Sequence, residues 1–294
     1  MLPALRFYDL TSADGTRIQA WTNDADGPVV LLCNGLGTNP YAWPALLRED
    51  AGVRVVSWNH RGVGGSERPV DSSRVGVDAF IEDALAVLDD AGVDSCVVAG
   101  WSIGVNTAFE LAALHPSRVR GIFAVAGVPG GTFSSMGAPL LIPRVARRPI
   151  AVGIARLLEK TGRVIHPVSS RLPVGPVTGQ VLTHSGFMLP VPETAVVRRA
   201  VKEFLQTPVD WYMHMARASA QHPRVSLSSI TVPTTFVAGR YDILASAKDM
   251  RTAAERIPGA SYVLLRGSHF LQFEHADEVH AELLSLVGHV TSTT

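Results

Sequence analysis

The sequence predicts an α/β fold, a mostly parallel doubly wound sheet carrying an inserted helical cap, and three observations predict it. Short Val-rich apolar runs at 29–33, 53–58, 96–99 and 122–126 alternate with helical segments, the rhythm of a parallel sheet covered on both faces. That rhythm stops after Val128-Pro129-Gly130-Gly131 and resumes at Thr234, which leaves 129–228 as a cap set into a core made of 1–128 and 229–294. The run at 96–99 ends in Gly100-Trp101-Ser102-Ile103-Gly104, and a helical pattern follows at once. The chain has 294 residues, 47% hydrophobic and 18% charged, enough for one sizeable core and a smaller inserted unit.

The elements follow in order. Apolar runs at 6–8 and 17–21 flank the turn Ala13-Asp14-Gly15-Thr16 and read as an opening antiparallel hairpin. Val77, Phe80, Ile81, Ala84, Leu85 and Leu88 share one helical face, and Gly92 is placed to end that helix. A second helix over 105–114 is closed by His115-Pro116. Within the cap, Leu140-Leu141-Ile142 and 150–158, interleaved with Arg144, Arg147, Arg148 and Arg156, read as an amphipathic helix broken by Pro149. Trp211, Tyr212, Met213 and Met215 add apolar bulk near its end. Strands at 235–239 and 262–265, a helical stretch over 246–256 and a last helix from near Phe273 complete the core.

Chemistry is concentrated at Ser102. A serine on a sharp strand-to-helix turn has its Oγ exposed at the end of a sheet, and flanking glycines permit the close backbone approach that side chains block. The hydroxyl needs a base, and the base an orienting carboxylate. Of ten histidines, His269 alone lies just past a late strand, within Arg266-Gly267-Ser268-His269-Phe270. Asp242 lies just past another, in Gly239-Arg240-Tyr241-Asp242. Taken singly, a loop histidine and a turn or cap aspartate explain these residues equally well. His275, close by, is expected on the last helix and away from Ser102.

Together with Asn34-Gly35-Leu36-Gly37 and Asn59-His60-Arg61-Gly62-Val63-Gly64-Gly65-Ser66, these segments occur in an order that resembles the α/β-hydrolase family over nearly the whole chain. The resemblance implies Ser102 as nucleophile, His269 as general base and later acid, Asp242 as its orienting carboxylate, and the backbone amides of Leu36 and Ile103 as the oxyanion hole. Trp101, Leu157 and Leu158 are the expected substrate contacts. Two positions depart from the family pattern, since many relatives carry His where this chain has Asn34 and Asp where it has Asn59. Neither supplies the triad, and the Asn34 side chain is expected to brace the oxyanion loop. Relatives that open epoxides or displace halides use aspartate at the elbow, so Ser102 argues against both reactions. The expected activity is hydrolysis of a carboxylic ester with a hydrophobic acyl or alcohol group, through an acyl-serine and without metal or cofactor. Thioester hydrolysis, carbon-carbon bond cleavage, acyl transfer and haloperoxidase-like perhydrolysis use the same triad. A non-catalytic ligand-binding member of the fold is the alternative of another class.

Net charge is zero and no Lys/Arg tract marks a nucleic-acid arm. The charge is divided, however. The interval 129–228 holds twelve Lys/Arg against four Asp/Glu, and the remainder fourteen against twenty-two. Docking on an acidic core, attraction of anionic substrates, contact with an anionic lipid surface and simple solvated helix faces all fit that division. Cys33 and Cys96, both in predicted central strands, read as buried free thiols. With no signal-peptide pattern and no run of about eighteen apolar residues, a cytoplasmic location is expected. The sequence does not fix the oligomeric state.

Overall fold

The computed structural model describes residues 5–138, 140–175, 188–191 and 195–292. Its eight strands are β1 (Arg6–Thr11), β2 (Arg17–Thr22), β3 (Val29–Cys33), β4 (Arg54–Trp58), β5 (Cys96–Trp101), β6 (Val119–Val125), β7 (Thr234–Gly239) and β8 (Ser261–Leu265). They form one sheet in the order β1-β2-β4-β3-β5-β6-β7-β8. The β1–β2 and β2–β4 pairs are antiparallel, and the pairs from β4 through β8 are parallel. Because strand side chains alternate, Leu31 and Val98 point to one face while Val30, Leu32, Val97 and Ala99 point to the other.

Both faces are covered, so the sheet is doubly wound as its apolar strands require. On the first lie α1 (Val77–Asp90), α2 (Ile103–Leu114) and α7 (Ala247–Ala254), which contribute Phe80, Leu88, Phe109 and Met250. On the second, α9 (Ala276–Ser292) contributes Val279, Leu283 and Val287. Each such buried side chain stabilises the fold by about 1.5–3 kcal/mol. α1 ends before Gly92, which takes the left-handed φ of 65° expected of a residue that stops a helix.

Helices fill the interval between β6 and β7, apart from residues 139, 176–187 and 192–194, which lie outside the described residues. They are the short α3 (Thr132–Ser135), the long α4 (Arg144–Ser169), α5 (Ala195–Phe204) and α6 (Val209–Ser219). Two expectations are corrected here. Leu140 and Leu141 sit in a turn before α4, with Leu141 at a φ of 58°. Pro149 does not break the helix, which runs through it and through Pro167. Proline at 149 removes one donor from the carbonyl of Val145, and both residues are exposed, so water can serve the freed oxygen.

The inserted helices dock on two glycine-bearing loops of the core. Trp211 of α6 donates from its indole to the Arg61 carbonyl at 2.8 Å, and Tyr212 packs where a Cβ on Gly37 would lie, 2.8 Å from its ring. Asn39 donates to the carbonyl of Ala200 in α5 at 2.9 Å. Arg61 itself is fully buried and bound to Asp83, Asp14 and Ser12, an ion cluster that fixes the loop after β4 against α1. Among the described residues no helix is long and apolar enough to cross a membrane.

Candidate active site

At the end of β5 the backbone turns through Ser102, whose φ of 56° and ψ of −119° lie where L-residues are strained. Its amide is held by the Val125 carbonyl at 3.0 Å, and α2 begins at the next residue. The flanking glycines are demanded by space. A Cβ on Gly104 would lie 1.8 Å from the Cys33 carbonyl oxygen, and one on Gly100 would lie 2.6 Å from that of Gly104. Strand β3 therefore crosses against the first turn of α2, which brings the loop after β3 beside Ser102.

His269 and Asp242 arrive from two loops joined by main-chain bonds. Arg240 donates to Leu265 and Tyr241 to Gly267, each at 2.9 Å. Gly239 permits the approach, because its Cβ would stand 2.2 Å from the Ser268 carbonyl oxygen. His269 Nε2 lies 2.8 Å from Ser102 Oγ, and His269 Nδ1 lies 2.9 Å from Asp242 Oδ2. The other Asp242 oxygen accepts from the amides of Leu244 and Ala245, both at 2.8 Å. The aspartate side chain is fully buried and the histidine nearly so, while Ser102 is half-buried. His275 caps the short α8 (Leu271–Glu274) and pairs with Glu278. It is His269 that reaches the serine.

Leu36 lies in the loop after β3 and Ile103 opens α2, so the Ile103 amide is among those with no acceptor inside the helix. Asn34 braces that loop. Its Oδ1 accepts from the Gly35 amide at 2.9 Å and the Trp43 indole at 3.1 Å, and its Nδ2 donates to the Asn39 carbonyl at 3.1 Å.

A family model described as alpha/beta hydrolase fold matches residues 28–149. The chain adopts the alpha/beta hydrolase fold. Epoxide hydrolase A of Mycobacterium tuberculosis is 27% identical over 95% of this chain and 96% of its own length. The 3-oxoadipate enol-lactonase 2 of Acinetobacter baylyi is 24% identical over 93% and 94%. Among solved structures, the enol-lactonase from Burkholderia xenovorans LB400 superposes with a TM-score of 0.70 at 20% identity, covering 96% of this chain and 100% of that one.

The three expected substrate contacts differ in exposure. Trp101 is buried beneath the site, its indole donating to the His269 carbonyl at 3.0 Å and its ring packed against Gly35. It joins the loop after β3 to the histidine loop. Leu157 is 61% exposed on α4 and Leu158 is half-buried. Two residues to which the sequence reading gave no part in the site, Glu274 and Tyr212, lie beside these loops. Glu274 accepts from the Ser268 amide at 2.6 Å, from Ser268 Oγ at 2.5 Å and from the Leu189 amide at 2.7 Å, tying the histidine loop to the inserted segment. Tyr212 lies over Gly37 of the oxyanion loop, and burial pushes its phenol up to about 12. A glutamate five residues past the histidine, at the end of the short helix that follows it, was the available signal for the first. Nothing local marked the second. Cys33 and Cys96 are buried free thiols, Cys96 pushed up to about 12 by burial. Among the described residues no group of three or more His, Cys, Asp or Glu is placed to hold a metal ion.

Proposed function

We propose that this α/β-hydrolase is a serine esterase that cleaves a carboxylic ester through an acyl-serine. The observation that carries the reading is the unbroken chain from Ser102 Oγ through both nitrogens of His269 to Asp242, at 2.8 and 2.9 Å. His269 takes the serine proton as Oγ attacks the carbonyl carbon, and Asp242 stabilises the imidazolium that forms. The amides of Leu36 and Ile103 receive the negative charge on the carbonyl oxygen. His269 then protonates the leaving alkoxide, activates water, and the acid departs as the serine is restored.

The relatives are named for epoxides and for an enol-lactone, and the elbow residue favours the second chemistry. Opening an epoxide with a serine oxygen would leave an ether, which offers water no carbonyl to attack. An acyl-serine retains one. Residues 129–228 are read as a cap over the core of 1–128 and 229–294, supported by Tyr212 lying over Gly37, and its apolar content favours a hydrophobic acyl or alcohol group. The buried free thiols fit a reducing compartment, and the reading places the protein in the cytoplasm.

A fluorophosphonate probe tests the assignment directly. The wild-type protein is expected to be labelled at Ser102, and Ser102→Ala to lose labelling together with about 10³-fold or more of its turnover on p-nitrophenyl esters. Labelling without turnover on any chain length would point to one of the other acyl transfers. An unlabelled, folded wild-type protein would leave a ligand-binding member of the fold.

A further inference from the structure

α4, the longest described helix of the insertion, carries a surface that packing among the described residues does not use. α4 meets α6 through Ala155 and Gly162, and a Cβ on Gly162 would lie 2.3 Å from the Asp210 amide nitrogen. That side is closed. Roughly opposite, Ile150, Ile154, Leu157, Val164 and Val168 fall within an arc of about 80° at 3.6 residues per turn, over about 27 Å of helix. They are 46–78% exposed, and Leu172 extends the row past the helix end. Arg156 and Lys160 lie along one edge of that row, both exposed, and Arg163 beside them is exposed but pairs with Asp210 of α6 at 3.3 Å. Over its whole length α4 holds six Lys/Arg and one acidic residue, Glu159, and that glutamate is turned inward onto His214 and Arg217 of α6.

The row is interrupted by the exposed Thr161, whose hydroxyl donates to the Leu157 carbonyl at 2.9 Å; an exposed apolar row of this length is unusual on a protein surface and marks contact with something. The charge beside it decides what. A protein groove would satisfy the apolar row alone, whereas an apolar stripe bordered by a cationic one is matched by a surface that is apolar below and anionic at its edge. We propose that the outer face of α4 lies in the interface of an anionic lipid bilayer, with the apolar row between acyl chains and the arginine and lysine stripe among the headgroups. The inference is independent of the reaction at Ser102. It gives the division of charge between the insertion and the core a physical role.

Flotation with the full-length protein tests it, using vesicles of phosphatidylcholine alone and vesicles containing phosphatidylglycerol. Wild-type protein is expected to float with the anionic vesicles, less so at raised salt, and to stay behind with the neutral ones. Replacing Arg156 and Lys160 by Gln is expected to weaken anionic binding by roughly 30-fold, at about fivefold for each basic residue near the surface. Ile154→Ser with Val164→Ser and Val168→Ser is expected to abolish flotation at every salt concentration, with the circular dichroism melt showing each variant folded. Wild-type protein that floats with neither vesicle overturns the proposal. So does flotation that survives both sets of substitutions. A dimer in solution that the serine variant converts to monomer, with no vesicle binding, would assign the face to a second copy of the chain instead.

Discussion

The turn at Ser102 and the outer side of α4 are built on opposite terms. Around the serine there is no spare volume: the missing Cβ of Gly104 is where the Cys33 carbonyl stands, and that of Gly239 is where Ser268 stands. On α4 a Cβ at Gly153 meets nothing within 4 Å, and large apolar side chains face solvent. The reacting groups are thus held by backbone contacts between strand ends, which few sequences allow. The insertion packs on the core through its inner side, where Trp211 and Met215 join the main hydrophobic cluster, while the outer side of α4 carries no such constraint among the described residues. One region fixes the chemistry of the site and the other is open to selection by what it meets.

The sharpest way to break that contrast is to add one methyl group at the tight end. Gly104→Ala places a carbon against backbone, where no side chain can rotate away, so β3 and α2 must separate. The expected destabilisation is more than about 4 kcal/mol, beyond ordinary overpacking, and little soluble folded protein should be recovered. If Gly104→Ala melts near wild type and still hydrolyses esters, the close crossing is not what holds the elbow.

A second test uses pH and the buried core beneath the loop after β4. His60 is buried with its ring edge-on to Phe80, its Nδ1 has no hydrogen-bond partner among the described residues, and burial pulls the imidazole from 6.5 down to about 4. Above pH 6.5 it is neutral folded or unfolded, and no stability depends on its titration. As pH falls below 6.5 the unfolded chain takes up a proton that the folded chain refuses. Stability is therefore lost at up to about 1.4 kcal/mol per pH unit, reaching roughly 3 kcal/mol by pH 4. His60→Gln removes this term. Urea midpoints at pH 7, 5.5 and 4.5 should show wild type falling faster than the variant, and parallel curves would mean that the ring is solvated.

Much of the tight region was legible because its constraints are local in sequence. Gly100-Trp101-Ser102-Ile103-Gly104 announces strand, turn and helix within a few residues, and the strand-ending positions of Asp242 and His269 follow from apolar runs just before them. The packing of Trp101 was not legible because it depends on what lies across the sheet end, the His269 carbonyl and the Gly35 loop, which are far away in sequence. The same holds for Tyr212 over Gly37. In the insertion the amphipathic pattern was visible, yet pattern alone assigns an apolar row to a buried pocket as readily as to solvent. Pro149 was read as a break because proline usually is one, and an exposed Val145 carbonyl relaxed the rule.

The smallest expected effect sets the two sides of α4 against each other. Gly153 and Gly162 are both interior glycines of one helix, so replacing either by alanine gains the same conformational restriction of the unfolded chain, about 0.5–1 kcal/mol. At Gly153 nothing opposes the gain, and Gly153→Ala is expected to raise the melting temperature by roughly 2 °C with kcat/KM for a soluble ester unchanged. At Gly162 the new carbon meets the Asp210 backbone at 2.3 Å, so Gly162→Ala must push α4 away from α6 and lower the melting temperature instead. Because α6 carries Tyr212, that variant should also raise KM or lower kcat. Two alanines of equal sign would mean that the α4–α6 contact yields easily, and the insertion would then be as loosely held on its inner side as it is exposed on its outer one.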